Sequence, residues 1–372
     1  MTFVHGAAAK YASIVIEEST GEVLYSRNAD TKNYPASLTK LMTLYLLFET
    51  LDAHILYFDD VLTASTRAAG QPPSKLGLRK GNKISVHDAI LALVVKSAND
   101  VATVVAEELG GTEVEFAKMM TAKARSLGMS NTTFRNASGL PNKRQLSSAR
   151  DIATLAFAMR RDFPHYYHYF SMPEFDFGTK KIRTHNRMLA NYPGTDGLKT
   201  GYTHASGFNI VISVERNGDR LIGVVFGGNT AASRDRHMEK LLDQSFAVLD
   251  ERREEQARVR EAIIESAPPL RLVGETSRFD GSWGIQIGAY QSIDAATRAL
   301  QFANHKIPDL LAPAGPALVP IEHNGHTLYR ARYLGLDPDQ AKGACRHLAG
   351  SAIPCFVVRQ SEEDKTLALT SS

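Results

Sequence analysis

Apolar and polar residues alternate in two regions of the chain, one near its start and one after Phe175, and this alternation predicts β-strands. The first region, YASIVIEESTGEVLYSRNAD, predicts a hairpin around Ser-Thr-Gly-Glu. In the second, SGFNIVISVERNGDRLIGVVFGGN, two strands flank Asn-Gly-Asp, which is a strong signal for a tight turn. The two strand-rich regions are therefore far apart in the sequence.

Between these strands, apolar residues recur at the spacing of a helix face. A helix is predicted from about Pro35, because proline is favoured in a first turn. The stretch SVHDAILALVVKSANDVATVVAEELG predicts one long helix that ends at glycine, and EVEFAKMMTAKARSLGM and SSARDIATLAFAMRRD predict two more. A long charged helix is predicted from about Ser233 to Glu265.

The last part of the chain has its own pattern. SAPPLRLVGETSRFDGS contains Pro-Pro and Gly and predicts a linker. After it, WGIQIGAY, HTLYRARYLGL and IPCFVVRQ predict strands separated by two helices, a β-α-β-α-β order sufficient for a small domain, and the polar tail after Arg359 is expected to fray. The predicted organisation is a domain over 8–250, a charged helix and linker over 251–280, and a second domain over 281–360.

Composition restricts the class of protein. The 372-residue chain is 43% apolar and 22% charged, as in ordinary soluble globular proteins, and its net charge of +3 is too small to indicate a nucleic-acid partner. No apolar run is long enough to predict a transmembrane helix. The N-terminus lacks the regions of a signal peptide, so we expect a cytoplasmic chain or a mature or truncated form of an exported one. Cys345 and Cys355 are interpreted as a free pair, or as a single disulfide in an oxidising compartment.

Ser37 and Lys40 stand three residues apart in NYPASLTKLMTL, at the start of a predicted helix. Residues at this spacing are neighbours on one helix face, so the hydroxyl is expected beside the amine. Serine becomes a nucleophile when a base takes its proton, and a buried lysine near other cations has a lowered pKa that suits it to that task. Ser-x-x-Lys arises by chance about once in a chain of this length, so the pair alone is weak evidence.

Two further motifs change this assessment. KSAND contains Ser97 and Asn99, and DGLKTGYT contains the only Lys-Thr-Gly of the chain, at Lys199, Thr200 and Gly201. An edge strand that carries the Lys-Thr-Gly motif would present a cation and a hydroxyl, and the glycine would let a substrate lie against the backbone. Each motif by itself is equally compatible with a turn or a solvated surface.

The three motifs, in this order, resemble the set found in serine penicillin-recognising enzymes. Together with YPASLTKLMT, FRNASGLP, HNRMLANYPGTDGLKTGYT and VVFGGNTAASRDRHMEKLLD, they make residues 8 to 250 resemble the low-molecular-weight D-alanyl-D-alanine carboxypeptidases, peptidase family S11. The resemblance implies an α/β (α+β) domain of the β-lactamase/transpeptidase type, with an antiparallel sheet flanked by helices.

The resemblance also implies roles for individual residues. Ser37 would be acylated by the penultimate D-alanine of a peptidoglycan stem peptide, and Lys40 would be its base. Ser97 and Asn99 would relay protons and hold the substrate amide. The remaining implied substrate-binding residues are Lys199, Thr200, Gly201, Tyr202 and Arg234.

Among the implied substrate-binding residues, Lys199 and Thr200 would bind the terminal carboxylate. The N–H groups of Ser37 and Tyr202 would form the oxyanion hole. Arg234 matches a family arginine near the carboxylate, although a helix-surface charge is an equally good interpretation. No cofactor or metal is expected, because His165 and His168 lack a third ligand nearby in the sequence.

Alternative functions remain open at this stage. A class A-like β-lactamase shares the scaffold but needs a deacylating glutamate, and no convincing one occurs in residues 130 to 198, where Glu174 matches the carboxypeptidase pattern. An endopeptidase would use the same residues. A non-catalytic peptidoglycan-binding protein is disfavoured, because all three motifs are complete.

Residues 281 to 360 resemble the SPOR domain, a small peptidoglycan-binding module, through WGIQIGAYQSIDAATRAL, LYRARYLG and CRHLAGSAIPCFVVR. The resemblance implies an RNP-like βαβ fold that binds glycan strands without stem peptides. Gln286 is expected to face away from the core, and Tyr329, Arg330 and Arg332 are expected to offer a stacking face and charge. An RNA-binding alternative is disfavoured, because the first strand lacks the interleaved aromatics that stack on bases.

The expected partners are therefore peptidoglycan stem peptides and glycan strands, with β-lactam antibiotics as inhibitors, no nucleic acid and no transmembrane segment. The expected location is the periplasm. Many relatives carry an amphipathic membrane anchor near the C-terminus, and we expect the second domain to take its place here.

Overall fold

The computed structural model describes residues 11–266, 270–276, 283–323, 326–351, 353–359 and 366–371. The chain forms two compact units, with the boundary between Asp250 and Glu251. The long charged helix predicted from about Ser233 is present and extends across this boundary. Each unit is described separately below.

The first unit contains a five-stranded antiparallel sheet in the order β2-β1-β9-β8-β7. Both predicted hairpins are confirmed, and the turn between β8 and β9 has Asn217 and Gly218 at positive φ. The strands of this unit are β1 Ala12–Glu17, β2 Val23–Arg27, β3 Val61–Thr63, β4 Lys83–Ser85, β5 Glu174–Phe177, β6 Lys180–Arg183, β7 Thr195–Thr203, β8 Gly207–Arg216 and β9 Asp219–Gly228.

Helices cover both faces of this sheet, as the resemblance implied. On one face, α6 packs against β1, β8 and β9 and shares a hydrophobic core with α1 and α4, and the other face packs against the first part of α8 through side chains such as Met238 and Phe246. The helices are α1 Lys40–Asp52, α2 Thr66–Ala69, α3 Val86–Leu91, α4 Asn99–Gly110, α5 Glu113–Ser126, α6 Ala149–Asp162, α7 Met188–Asn191 and α8 Ala231–Ser266, with 3₁₀ turns at Ala36–Thr39 and Tyr167–Ser171.

The prediction of one continuous helix through SVHDAILALVVKSANDVATVVAEELG is wrong. Helix α3 ends at Leu91, a π-helical segment follows over Ala92–Lys96, and Ser97 adopts a left-handed conformation with φ 57°. Helix α4 then begins at Asn99. Apolar periodicity could not reveal the break, because the π-helical segment and α4 bury their side chains in the same core.

The second unit contains a six-stranded antiparallel sheet in the order β10-β15-β12-β13-β11-β14. Helices α9 and α11 pack on it, and a disulfide between Cys345 and Cys355 joins α11 to the segment before β14. The elements are β10 Leu270–Thr276, β11 Trp283–Tyr290, α9 Ile293–Lys306, α10 Pro308–Leu311, β12 Gly315–His323, β13 His326–Leu336, α11 Pro338–Ala349, β14 Phe356–Arg359 and β15 Thr366–Ser371.

Three expectations for this unit need correction. The predicted linker contains strand β10, and the tail expected to fray contains β15, which pairs with it. Strand β12, with the sequence GPALVPIEH, was not predicted, because its two prolines argue against a strand inside a sheet. Local composition therefore hid three strands whose formation depends on pairing with one another and with β13.

Candidate active site

Ser37 lies in the 3₁₀ turn that leads into α1, in a tightly packed corner. The residue before it, Ala36, has φ 48°, an unusual value for a residue with a Cβ. A Cβ atom on Gly139 would lie 1.8 Å from the Ala36 carbonyl oxygen, and one on Gly201 would lie 2.9 Å from the Ser37 nitrogen. The two glycines therefore let a loop and strand β7 close around the backbone of Ser37.

Lys40 is fully buried directly below Ser37. Its Nζ lies 3.0 Å from Ser37 Oγ, 2.8 Å from Asn99 Oδ1 and 2.6 Å from the Ser138 carbonyl oxygen. The Asn99 amide nitrogen donates to the Pro72 carbonyl at 2.9 Å, so the oxygen of this amide must face the lysine. Three separate segments thus fix the position of one amine.

The surroundings of Lys40 favour its uncharged form. Burial, and then the positive charge of Lys199, hold the pKa of Lys40 well below its usual value, while Asp100 opposes this shift. A neutral amine has two N–H bonds and one lone pair. In this form the Asn99 and Ser138 oxygens can accept the two N–H bonds, which leaves the lone pair for the Ser37 hydroxyl. The arrangement can accept a proton from Ser37.

Ser97 occupies the break between the π-helical segment and α4, and its left-handed backbone turns the side chain toward the pocket. The Ser97 Oγ is buried and has no hydrogen-bond partner within the described part of the chain. A buried hydroxyl without a partner is costly, so this atom is available to a bound substrate.

Strand β7 forms the opposite side of the pocket and carries the third motif. Lys199 is buried, and burial together with the nearby Arg234 lowers its pKa to about 7. Thr200 and Gly201 line the pocket. Tyr202 is exposed at its edge, where its ring lies 4.3 Å from that of Phe208.

Arg234 lies in the first turn of α8 and is 3% exposed, so its interpretation as a helix-surface charge is wrong. Its guanidinium donates to Asp235 Oδ1 and, at 2.8 Å, to the Asn209 carbonyl oxygen. The group lines the same pocket as Ser37 and Thr200. A fixed positive charge therefore borders the pocket beside the third motif.

The pocket has a volume of about 340 Å³. None of the described residues that line it carries a carboxylate. Glu174 is not among them, because it lies on β5 and pairs with Lys181 at 2.7 Å. His185 lines the pocket too, and loss of hydration with the charges of Lys199 and Lys96 lowers its pKa to about 4. The pocket is thus suited to an anionic group.

Sequence reasoning did not identify several residues that hold this site together. The Ser138 and Pro72 carbonyls act through the backbone, which no side-chain motif reveals. Asp100 accepts N–H bonds from Leu76, Gly77 and Leu78, and thereby shapes the loop that carries Pro72. The only available signal for Asp100 and Ser138 was their place inside the conspicuous stretches KSAND and FRNASGLP, and Pro72 had no such signal.

Asn209 is also buried and also escaped notice. Its Nδ2 donates to the Tyr34 carbonyl at 3.0 Å, and its Oδ1 accepts the Gly227 N–H at 3.1 Å. This side chain ties the central strands of the sheet to the segment that precedes Ser37.

With this geometry established, comparison with known proteins identifies the family. The sequence profile of peptidase family S11, described as D-alanyl-D-alanine carboxypeptidase, matches residues 4–230. The chain belongs to this family. A second profile, that of the SPOR domain, matches residues 280–359.

Curated S11 relatives have similar sequences. D-alanyl-D-alanine carboxypeptidase DacF of Bacillus subtilis is 34% identical over 241 residues, which are 63% of this chain and 62% of that protein. DacC of Escherichia coli is 32% identical over 315 residues, covering 81% of this chain and 76% of the relative. The chain therefore spans less than two thirds of the length of the first of these relatives.

Solved structures agree on the fold. Penicillin binding protein 6B from Escherichia coli aligns with a TM-score of 0.60 at 28% identity, over 72% of this chain and 80% of that one. Penicillin-Binding Protein D2 from Listeria monocytogenes, solved in a cefotaxime-bound form, aligns with a TM-score of 0.58 at 32% identity, over 66% of this chain and all (100%) of that one. The penicillin-binding protein fold expected from the sequence is confirmed.

The SPOR unit presents a row of side chains on one face of its sheet. Gln286 lies between Phe356 on β14 and Arg332 on β13, and Arg332 Nε donates to Gln286 Oε1 at 3.1 Å. Phe356 is 62% exposed, whereas Ile285 and Ile287 are buried, so Gln286 faces away from the core as predicted. Tyr329 packs against the core, so the expectation that it joins Arg332 on an open stacking face is wrong.

Among the described residues, no group of three or more histidine, cysteine or acidic side chains is arranged to hold a metal ion. No helix in the described part of the chain combines the length and apolar character needed to cross a bilayer.

Proposed function

We propose that this chain is a serine-type D-Ala-D-Ala carboxypeptidase that removes the terminal D-alanine from peptidoglycan stem peptides through an acyl-enzyme. The observation that carries this proposal is the 3.0 Å contact between Ser37 Oγ and a buried Lys40 Nζ whose N–H groups are taken by Asn99 and Ser138. Membership of family S11 supports the same activity.

In the first half of the reaction, Ser37 Oγ attacks the carbonyl carbon of the penultimate D-alanine, and Lys40 takes the hydroxyl proton. The N–H groups of Ser37 and Tyr202 stabilise the negative oxygen that develops. Lys199, Thr200 and Arg234 bind the terminal carboxylate, and Asn99 holds the substrate amide. The C–N bond then breaks as the departing D-alanine nitrogen takes the Ser97 hydroxyl proton, and the protonated Lys40 returns a proton to Ser97, so that Lys40 is again a neutral amine.

In the second half, water attacks the ester, loses its proton to Lys40, and restores Ser37. None of the described lining residues carries a carboxylate, so this water has Lys40 as its base but no glutamate of the kind that a class A-like β-lactamase uses. We therefore expect β-lactams to acylate Ser37 and to be released slowly. This expectation favours a carboxypeptidase over a class A-like β-lactamase, which depends on such a glutamate.

We further propose that the SPOR unit binds glycan strands through Phe356 and Gln286. The exposed ring of Phe356 can stack on a sugar, and the Gln286 amide can form hydrogen bonds with its hydroxyls. Arg332 is 5% exposed and donates to Gln286 Oε1, so its role is to orient this amide. Binding of the polymer would raise the local concentration of stem peptides around the catalytic unit. The proposed location is the periplasm, where the Cys345–Cys355 disulfide would persist.

The decisive experiment measures D-alanine release from a synthetic stem pentapeptide, together with the mass of the protein after exposure to penicillin. We expect free D-alanine and a long-lived adduct on Ser37, and neither with Ser37→Ala. An adduct lost within seconds would favour the β-lactamase. Neither product from folded protein would favour the non-catalytic wall binder, and cleavage of cross-linked dimers in preference to pentapeptides would favour the endopeptidase.

A further inference from the structure

A cavity separate from the active-site pocket lies where the start of β1, the end of β2 and the second turn of α8 meet. This flank cavity is lined by Tyr11, Arg27, Asn28, Thr31 and His237 and has a volume of about 650 Å³, within the range of natural ligand sites. None of these residues lines the active-site pocket, and the mechanism proposed above uses none of them.

The pairing of β1 with β2 explains which side chains reach the flank cavity. Arg27 is opposite Ser13 in the register, and side chains directly opposite each other share one face of the sheet. Tyr11, Ser13 and Val15 share that face because they alternate along the chain, and Val15 packs in the core beneath α8. Arg27 and Tyr11 therefore face α8, which contributes His237.

Three contacts fix the Tyr11 side chain. Its hydroxyl lies 2.6 Å from Ser13 Oγ and 2.5 Å from His237 Nε2, and the Arg27 Cζ lies 5.3 Å from the centre of its ring. A Tyr11 hydroxyl that donates to Nε2 leaves the imidazole proton on Nδ1, so His237 can itself donate a hydrogen bond. Tyr11 thus holds a guanidinium and an imidazole on either side of its ring.

Positive charge dominates the surroundings of the flank cavity. Burial, and then the charges of Lys240 and Arg27, lower the pKa of His237, so two cations act on this imidazole. Asp30 is the acidic residue nearest to Arg27 in the sequence, but its carboxylate pairs with Arg150 at 2.8 Å. None of the described residues that line the cavity is acidic. The flank cavity therefore attracts an anion.

Hydrogen-bond donors border the flank cavity on several sides. The Arg27 guanidinium comes from β2, the Thr31 hydroxyl from the following loop, and the imidazole of His237 from α8. The Asn28 amide donates one N–H to the Tyr11 carbonyl oxygen at 3.1 Å and keeps a second. Donors on several sides suit a tetrahedral anion with several oxygens better than a planar carboxylate, and a guanidinium binds phosphate with two parallel hydrogen bonds.

We propose that the flank cavity binds a phosphate group, held by the Arg27 guanidinium and by hydrogen bonds from Thr31 and His237. A free phosphorylated solute and the headgroup of an anionic phospholipid present the same chemistry to these residues. The site is distinct from the catalytic residues, so the proposal stands or falls independently of the carboxypeptidase activity.

The test follows the imidazole resonance of His237 by NMR in the full chain, and identifies it by its loss in His237→Gln. Sodium phosphate at a pH of about 8, where phosphate is mainly a dianion, should shift this resonance saturably, with a Kd on the order of 1 mM. Sodium chloride and sodium acetate at the same ionic strength should shift it weakly and without saturation. A shift that is equal with phosphate and acetate would overturn the assignment to phosphate.

Two variants test the proposed contacts. Arg27→Gln should weaken phosphate binding at least about tenfold, the effect of losing a charged hydrogen-bond donor, and Thr31→Val should weaken it by a factor of about three. Arg79→Gln removes an exposed arginine elsewhere and is the matched control, expected to bind as the wild type does. Phosphate binding that survives both Arg27→Gln and Thr31→Val, in protein with a wild-type circular dichroism spectrum, would refute the site.

A second arm distinguishes the two sources of phosphate. The full chain is sedimented with vesicles of phosphatidylglycerol or of zwitterionic phosphatidylcholine. Binding to phosphatidylglycerol that is lost in Arg27→Gln and kept in Arg79→Gln would support the site with a lipid headgroup as ligand. Phosphate binding without vesicle binding would support it with a free phosphorylated solute.

Discussion

At the scale of single residues, the site depends on two buried lysines whose pKa values are both lowered. Burial, and then the charge of Lys199, hold the pKa of Lys40 well below its usual range. Burial, and then the charge of Arg234, lower the pKa of Lys199 to about 7. One amine is therefore available as a base, while the other can still carry the charge that a carboxylate requires.

The first prediction concerns Lys40. Lys40→Gln keeps a polar side chain that can donate to Asn99 or Ser138 but cannot take a proton from Ser37. The rate of acylation by penicillin should fall on the order of 10²- to 10⁴-fold, the usual contribution of a general base. Stopped-flow or mass-spectrometric adduct formation measures this rate. Acylation within tenfold of the wild type would show that Lys40 is not the base.

The second prediction concerns pH. Substrate binding needs Lys199 protonated, so kcat/KM for the pentapeptide should decline as pH rises through about 7 in the free enzyme. On the acid side it should decline where Lys40 becomes protonated. Lys199→Arg keeps its charge at all these pH values, so its alkaline decline should move upward by at least one pH unit. An unchanged alkaline limb would assign that limb to another group.

The third prediction concerns the effect of the lowered Lys199 pKa on the free energy of unfolding. Between pH 7 and 10 the unfolded chain holds a proton on Lys199 that the folded chain lacks. Lys199 therefore lowers the free energy of unfolding most near pH 7, and this penalty shrinks as the pH rises toward 10. Lys199→Met should therefore raise the free energy of unfolding near pH 8, by on the order of a few kcal/mol.

Urea titrations at pH 8 and pH 10 measure this difference, and the stabilisation should be smaller at pH 10. Lys80→Met, at an exposed position, provides the control and should show no such trend. A stabilisation that is equal at both pH values would mean that Lys199 is charged in the folded protein.

At the scale of elements, close approach of backbone segments creates the site. The loop at Gly139 and strand β7 at Gly201 both press on the turn that carries Ser37, at distances that exclude a Cβ. The break at Ser97 delivers a hydroxyl from the middle of what would otherwise be one helix. Each of these three elements departs from regular geometry where it lines the pocket.

The fourth prediction tests this packing. Gly139 has φ +90° and Gly128 has φ +83°, but only at Gly139 would a Cβ meet other atoms, since Gly128 has open space around it. Gly128→Ala should cost about 1–2 kcal/mol from backbone strain alone. Gly139→Ala should cost several kcal/mol more, or abolish penicillin acylation, because Ala36 and Ser37 must shift.

Thermal unfolding and adduct formation measured side by side distinguish these effects. Equal losses of stability in the two variants, with acylation intact in both, would mean that the turn at Ser37 adapts freely and that its packing against Gly139 is unimportant.

These elements also show what the sequence could and could not predict. The hairpins and the helix α6 were predictable, because periodicity and the Ser148 cap are local signals. The helix expected from about Pro35 begins instead at Lys40, because a 3₁₀ turn over Ala36–Thr39 precedes it. The break at Ser97 was not, because both halves bury apolar side chains on the same side. Ser37, Lys40 and Asn99 were found as motifs, whereas the Ser138 carbonyl and the Asn209 side chain became visible only through contacts between distant segments.

At the scale of the whole molecule, the chain consists of two units with separate hydrophobic cores. Strands β10, β12 and β15 escaped prediction because they complete the second sheet through pairing rather than through their own sequences. The disulfide between Cys345 and Cys355 closes a short loop, with a sequence separation of 10, entirely within that unit.

The fifth prediction uses this independence. Cys345→Ser with Cys355→Ser should remove roughly 2–3 kcal/mol from the second unit, the usual effect of opening a short loop. Scanning calorimetry of the full chain should show two transitions, of which one shifts downward. A shift in both transitions, or a single cooperative transition in the wild type, would mean that the two units unfold together.

The absence of a carboxylate among the described residues that line the pocket affects how the protein responds to an antibiotic. If no carboxylate speeds hydrolysis of the acyl-enzyme, each acylation by a drug molecule inactivates one protein molecule for a long time. Inhibition then follows the ratio of drug molecules to protein molecules, not an equilibrium constant. A cell that makes more of this protein would absorb more drug before its wall chemistry changes.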